Sequence, residues 1–345
     1  MPVREKPLFR DLLNLDDRVL GLVAERYALP EADCFLPVLL DGDRCSLLEV
    51  RSDTSKKAMV EAAGERYFLK QIPWYCDSPE QIAVSTRIQE GLRRAGVPVA
   101  RLRPTRDNRL WTSFGGESFV LFDCVEGLRY RKTPGQDAFA ARTLAQLHRA
   151  AVMVDGAPAE DVFTLAADHI GLLRSVVPAA AGAASVLEEL LAPAERQARS
   201  AGFDALPVTA VHGDFNPWNL LFTEDQQVAA VVDFDNCDVA SRLHDVAEAL
   251  LTFCVVRYAD DTTNFAFDQA RTVDRSAVDA FLTHYEEVWP LTPTERACLP
   301  PALGAVWIEL TCLGLLRGDF TLDCLDRHVD IFRQLTRGPR TGEER

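Results

Sequence analysis

The sequence predicts an α+β protein in two parts: a small β-rich N-terminal lobe with one main helix, and a larger, mostly helical C-terminal lobe that carries a β-hairpin. Three observations predict it. Short apolar, strand-forming runs crowd the first third of the chain, Ala/Leu-rich segments with helical spacing fill the rest, and a single strand–turn–strand island interrupts those helices at 207–236. The chain of 345 residues is about two domains' worth, and 48% hydrophobic with 26% charged residues is a globular composition, which rules out disorder and collagen-like repetition.

The N-terminal strands begin with the apolar run at 35–40, broken by the turn-like Asp41-Gly42-Asp43. A second run follows at 46–51, then a polar stretch through Gly64, then RYFLKQI at 66–72, together a meander of short strands. Asp77-Ser78-Pro79-Glu80 offers an N-cap with Pro just inside it, and the apolar Ile82, Ile88 and Leu92 define one helix ending at Gly96. Two more strands are expected at 97–105 and 117–127, separated by a turn region at 111–116. From about Thr133 the pattern becomes helical, notably at 137–152 and 185–202, and the lobe boundary falls near 121–128. After the β island, helices resume with SRLHDVAEALLTF at 241–253 and continue to the C-terminus.

The 52 acidic against 37 basic residues leave a formal charge of −15. A nucleic-acid partner is therefore not expected; the same charge would steer a small cationic substrate to an acidic cleft, and it serves solubility alone equally well. Nine cysteines without a Cys-x-x-Cys spacing read as reduced thiols, not as a disulfide framework or zinc site. The charged start lacks a signal-peptide core and no stretch reaches about 18 uncharged apolar residues, so a cytoplasmic protein outside the membrane is expected.

Chemistry concentrates in His212-Gly213-Asp214, Asn219 and Asp233-Phe234-Asp235. If Leu220–Phe222 and Val228–Asp233 form a hairpin with its midpoint near Asp225 or Gln226, Asn219 and Asp233 stand side by side at its open end. A carboxylate and an amide oxygen there make half a site for Mg²⁺, whose shell phosphates and waters complete. Asp214, five residues before Asn219, is placed to orient a substrate hydroxyl and accept its proton. Each residue singly is an ordinary turn former; the spacing of the set is what turn chemistry does not explain.

HGDFNPWNLLF followed by VVDFDN resembles the catalytic and metal loops of the aminoglycoside phosphotransferase and type II homoserine kinase-like family, and the resemblance extends over most of the chain from about residue 35. It implies a bilobal protein-kinase-like fold, with a nucleotide-binding lobe at 1–122, a hinge at 123–127 and a catalytic and acceptor-binding lobe at 128–345. By the same resemblance Asp214 is the catalytic base or hydroxyl-orienting residue, and Asn219 and Asp233 hold Mg²⁺. Strand alternation puts Phe68, Lys70 and Ile72 on one face, where an ammonium needs a buried anion. Lys70 resembles the lysine that holds the α- and β-phosphates. Its helical Glu partner is unassigned, with Glu80 and Glu90 at the two ends of the helix. The turn at 41–46, with Ser46, is the phosphate-contacting candidate, although it has no Gly-x-Gly-x-x-Gly pattern. FVLFDCVEG resembles an adenine-carrying hinge, with backbone groups of Asp123 and Val125 on the purine edge and Phe122 beside it.

Other residues read as structural: His212 locks its loop, Asp245 resembles the residue that pins the catalytic-loop backbone, and His148 packs or hydrogen-bonds in its helix. Asp235 replaces the glycine of protein kinases, and no Ala-Pro-Glu segment is present, so a small acceptor is favoured over a peptide. The expected activity is ATP-dependent, Mg²⁺-requiring transfer of the γ-phosphoryl group to a hydroxyl of a small molecule, either an antibiotic, giving resistance, or a metabolite such as an amino alcohol. Two rivals are a metal-dependent phosphohydrolase using His212, His244-Asp245 and Asp233, and a non-catalytic nucleotide-binding pseudokinase. Oligomeric state has no sequence signal.

Overall fold

The structure, a computed structural model, describes residues 15–29, 32–36, 40–41, 44–46, 56–150, 160–258, 265–266 and 272–337. Two compact units emerge, the first comprising 1–131 with 219–237 and the second 132–218 with 238–345. The hairpin expected in the helical lobe therefore groups with the strand-rich unit, a departure from a division at 123–127.

In the first unit a five-stranded antiparallel sheet runs Ala32–Leu36, Lys57–Ala62, Glu65–Gln71, Glu117–Asp123, Thr112–Phe114. Ala63 and Gly64, at φ 51° and 80°, make the two-residue turn that lets Ala62 pair with Glu65. One sheet face, with Val60, Leu69, Phe119 and Leu121, packs against Val19, Val23 and Tyr27 of the helix Asp17–Tyr27. That helix is an element the sequence reading passed over. On the other face, Ile72 and Val120 join Ile82 of the helix Pro79–Arg94 and Leu102. Ser78 caps that helix by accepting from the amide of Gln81 at 3.1 Å, with Pro79 at its first position as the sequence predicts.

The expected strand at 97–105 does not form. It makes only isolated bridges, Val99 with Val231 and Leu102 with Phe122. Pro98 and Pro104 have no amide to donate, so a continuous ladder is impossible and single bonds remain, such as Arg103 N to Leu121 O at 2.7 Å.

A second five-stranded antiparallel sheet runs Val228–Val231, Leu220–Phe222, Glu126–Leu128, Arg44–Ser46, Leu40–Asp41. The 220–231 hairpin belongs here because Leu221, Ala230 and Val232 are buried with Met59 and Phe68. Gly127 permits the approach: a Cβ there would lie 2.7 Å from Cβ of Leu221 and 3.2 Å from the carbonyl of Phe222.

The second unit is helical, with Pro134–Arg149, Val162–Val176, Ala181–Ser200, Leu243–Leu250, Arg275–Glu286, Pro293–Arg317 and Leu325–Thr336, together with two antiparallel strand pairs, Val208–Val211 with Asp238–Ser241 and Arg257–Tyr258 with Phe265–Ala266. Helix Pro293–Arg317 starts at a Thr292/Glu295 capping box and is long and apolar enough to cross a membrane, but most of it is buried within the unit, including Trp307, Ile308 and Cys312. Its Glu295 makes a buried ion pair with Arg242, whose guanidinium lies 4.0 Å from the ring centre of Trp289. The seven cysteines whose side chains are described are all free thiols.

Candidate active site

Lys70 sits in a strand buried on both faces and is itself 4% exposed. Its ammonium lies 2.5 Å from Oδ1 of Asp233 and 2.6 Å from Oδ2 of Asp235. Lys57, directly opposite in the ladder, reaches the other Asp233 oxygen at 3.3 Å. Two ammonium groups thus face two carboxylates in a desolvated pocket. Burial alone pushes the Asp233 carboxyl up, but Lys70 and Lys57 together hold it far below the usual range. Burial wins at Asp235, whose pKa rises to about 6 despite Lys70, and at Lys57, whose ammonium is depressed. For Lys70 burial is opposed and outweighed by Asp233 and Asp235, so its charge is strengthened.

The helix Pro79–Arg94, whose Glu partner for Lys70 the sequence left unassigned, supplies none. Glu80 is exposed, and Glu90 is bonded to Arg93 and Arg94 at 2.8–2.9 Å. The helix contributes Gln89 instead, which lines a small cavity of about 20 Å³ with Phe68, Lys70, Ala100, Phe122, Val231, Val232 and Asp233.

Local structure explains how the aspartates arrive there. Asp233 ends the hairpin in the left-handed region, φ 68° and ψ 59°, a conformation Asp tolerates better than most residues. A 3₁₀ turn, Phe234–Asn236, then returns Asp235 to the same lysine, and Ser85 of the helix donates to the Phe234 carbonyl at 3.0 Å. Asn219, 4% exposed, accepts from the amide of Val232 at 2.9 Å through its own carbonyl, so the hairpin register places it opposite the residue before Asp233. A carboxylate and a side-chain amide oxygen are hard donors of the kind a divalent cation takes, so Asp233 and Asn219 could serve as ligands to one.

Phe122 lines the cavity, while Asp123 is tied down by its amide to the Arg101 carbonyl at 2.9 Å and by its carboxylate to Arg103. Val125 is partly buried against Met59 and Phe68. The backbone of Ser46 pairs with Glu126; its side chain and residues 42–43 of the turn lie outside the described residues.

In the second unit, Asp214 follows the strand Val208–Val211 on a loop held by the helix Leu243–Leu250. Asp245 accepts from the amides of His212 at 2.6 Å and Gly213 at 2.8 Å. His148 is bonded on both ring nitrogens, to Asp245 at 3.0 Å and to the Tyr285 hydroxyl at 2.8 Å. Burial would raise the Asp245 carboxyl, yet His148 and its neighbours bring it down to about 2. Asn216 donates to Oδ1 of Asp214 at 2.6 Å and accepts from the Trp218 amide at 2.9 Å, a local clamp. With both Asp245 oxygens serving backbone amides, the phosphohydrolase reading loses a metal ligand. Lys57, Ser85, Gln89, Asn216 and Glu248 are residues sequence reasoning missed. Only Glu248 had a usable signal, its position three residues after Asp245 on one helical face.

Residues 46–289 match the phosphotransferase enzyme family, and the chain belongs to that family. A homoserine kinase of Caulobacter vibrioides (strain NA1000 / CB15N) is 27% identical over 248 residues, 70% of this chain and 67% of the relative. Among solved structures, an aminoglycoside phosphotransferase from Alicyclobacillus acidocaldarius superposes with a TM-score of 0.63 at 17% identity, covering 94% of this chain and 95% of that one. A microcompartment-associated aminopropanol kinase gives 0.64 at 16% identity, covering 93% and 95%. The fold is the protein-kinase-like α+β fold the sequence predicts, and the protein is a small-molecule kinase acting on a hydroxyl acceptor.

Proposed function

We propose that the protein transfers the γ-phosphoryl group of ATP to a hydroxyl of a small, amine-bearing molecule, with Asp214 orienting that hydroxyl and accepting its proton. The observation that supports this reading most is the Lys70–Asp233–Asp235 cluster with Lys57, since few arrangements other than polyphosphate binding call for two buried lysines around a carboxylate. Triphosphate oxygens would compete with Asp233 for the two ammonium groups, leaving that carboxylate and Asn219 to hold Mg²⁺. When bound, the metal neutralises charge on the phosphates. Catalysis is otherwise positioning: Lys70 and Lys57 hold the nucleotide, Phe122 with the backbone of Asp123 and Val125 carries the base, Ser46 contacts phosphate, and Asp214 aims the nucleophile. The lobes at 1–122 and 128–345 with a hinge at 123–127 remain the division of labour in this reading, and the free thiols suit a reducing cytoplasm.

A cationic acceptor fits the charge of −15, and the relatives named above include kinases of homoserine and aminopropanol. Incubation with MgATP and a panel of amino alcohols, hydroxy amino acids and aminoglycosides, read by mass spectrometry, tests the reading. A gain of one phosphate on an amine-bearing alcohol supports it; phosphoester hydrolysis without nucleotide contradicts it.

A further inference from the structure

Lys70 needs an anion that stays with it. In the proposed reaction one partner, Asp233 at 2.5 Å, is the residue that would serve Mg²⁺, and a buried ammonium left without a fixed carboxylate would lose its orientation. The carboxylate that remains is Asp235, whose Oδ2 lies 2.6 Å from the same ammonium. The helix Pro79–Arg94 offers no substitute: of its two acids, Glu80 is exposed at the start and Glu90 is tied to Arg93 and Arg94. Its residue facing the Lys70 cavity is the neutral Gln89.

The turn that carries Asp235 is fastened to that helix. Ser85 donates to the Phe234 carbonyl at 3.0 Å, the thiol of Cys237 reaches the Ser85 carbonyl at 3.9 Å, and the thiol of Cys76, just before the helix, reaches Oδ1 of Asn236 at 3.8 Å. Residues on both sides of Asp235 are thus anchored, and its carboxylate is only 11% exposed. Asp233 divides its two oxygens between Lys70 and Lys57, whereas Asp235 bonds Lys70. We infer that Asp235 is a positioning residue that takes the place of a helical glutamate: it holds the Lys70 ammonium toward the phosphates while Asp233 serves the metal. The helix then acts on Lys70 through the Ser85 contact instead of through an ion pair of its own. The inference rests on the proposed roles of Lys70 and Asp233, but the pairing is open to a test that needs no turnover.

Moving the carboxylate onto the helix is the first arm. Asp235→Asn should lower kcat at saturating MgATP by about a hundredfold, the effect that misplacement of a reacting group produces. Gln89→Glu, added to Asp235→Asn, returns an anion to the same cavity at the parental net charge and should recover about tenfold or more of that loss. Lost packing alone would not be repaired from another element. No recovery in the double variant overturns the inference, as does a loss in Asp235→Asn that excess Mg²⁺ relieves, which would make Asp235 a metal ligand. Melting temperatures are the second arm. Asp235→Asn should lower the melting temperature of the parent and leave that of Lys70→Met unchanged or raised, since the carboxylate then has no ammonium to lose. Equal shifts in the two backgrounds overturn the pairing. Unequal shifts in a protein that phosphorylates no alcohol would support the pairing and count against the proposed reaction alone.

Discussion

Lys70 shows how much chemistry one buried cation can organise. Its strand alternation is legible in RYFLKQI, and so is its need for an anion. The identity of that anion is not legible, because Asp233 lies 163 residues away and is brought to the lysine only by hairpin and sheet packing. Lys57 carried no signal at all: it lies in the polar stretch before Gly64, and only the ladder places it opposite Lys70. Removing one partner of a buried ion pair costs about 3–5 kcal/mol, since the other charge stays desolvated. Here Asp235, with its pKa at about 6, is ready to take up a proton and soften that cost. Lys70→Met is therefore expected to lower the melting temperature and to remove MgATP binding measured by calorimetry. Parental affinity in that variant would contradict the assignment of Lys70 to the nucleotide.

At the scale of elements, the helix Pro79–Arg94 was readable to within two residues because cap, Pro and apolar spacing agree. The helix Asp17–Tyr27 carried the same kind of signal, with an Asp16 cap and Val19, Val23 and Tyr27 at four-residue spacing, in a segment read only for its charges. The strand at 97–105 failed for a specific reason, two prolines in a run whose composition otherwise favours a strand. Helix Leu325–Thr336 docks through His328, whose ring stacks between Trp307 and Phe320 at centroid distances of 5.1 and 4.4 Å and bonds Thr311 at 2.9 Å. Burial, then Arg327, lowers the His328 pKa from 6.5 to about 4. The folded state resists this proton while the unfolded chain accepts it, so stability is full above pH 6.5 and falls as pH drops toward 4. At about 1.4 kcal/mol per pH unit the loss is about 3 kcal/mol. His328→Phe should flatten the acid dependence of the melting temperature over that window; an unchanged slope would show that another group sets it.

For the whole molecule, the change of periodicity near residue 133 made the fold class legible, and the paired loops around Asp214 and Asp233 made the family legible. The allegiance of the 219–237 hairpin was hidden, because it depends on Leu221 and Ala230 packing with Met59 and Phe68 across the chain. The net charge of −15 acts at this scale too. If it steers an amine-bearing acceptor, raising ionic strength beyond about 0.1 M should increase the KM of a cationic acceptor and leave that of an uncharged alcohol unchanged. Equal responses would assign the charge to solubility alone.

The most direct test of the whole account is a paired measurement on Asp214→Asn, which keeps the size and the Asn216 contact while removing the base. The account predicts that kcat for phosphorylation of the identified acceptor falls by about 10²–10⁴, while calorimetric affinity for MgATP stays at the parental value. Undiminished transfer in that variant would contradict it.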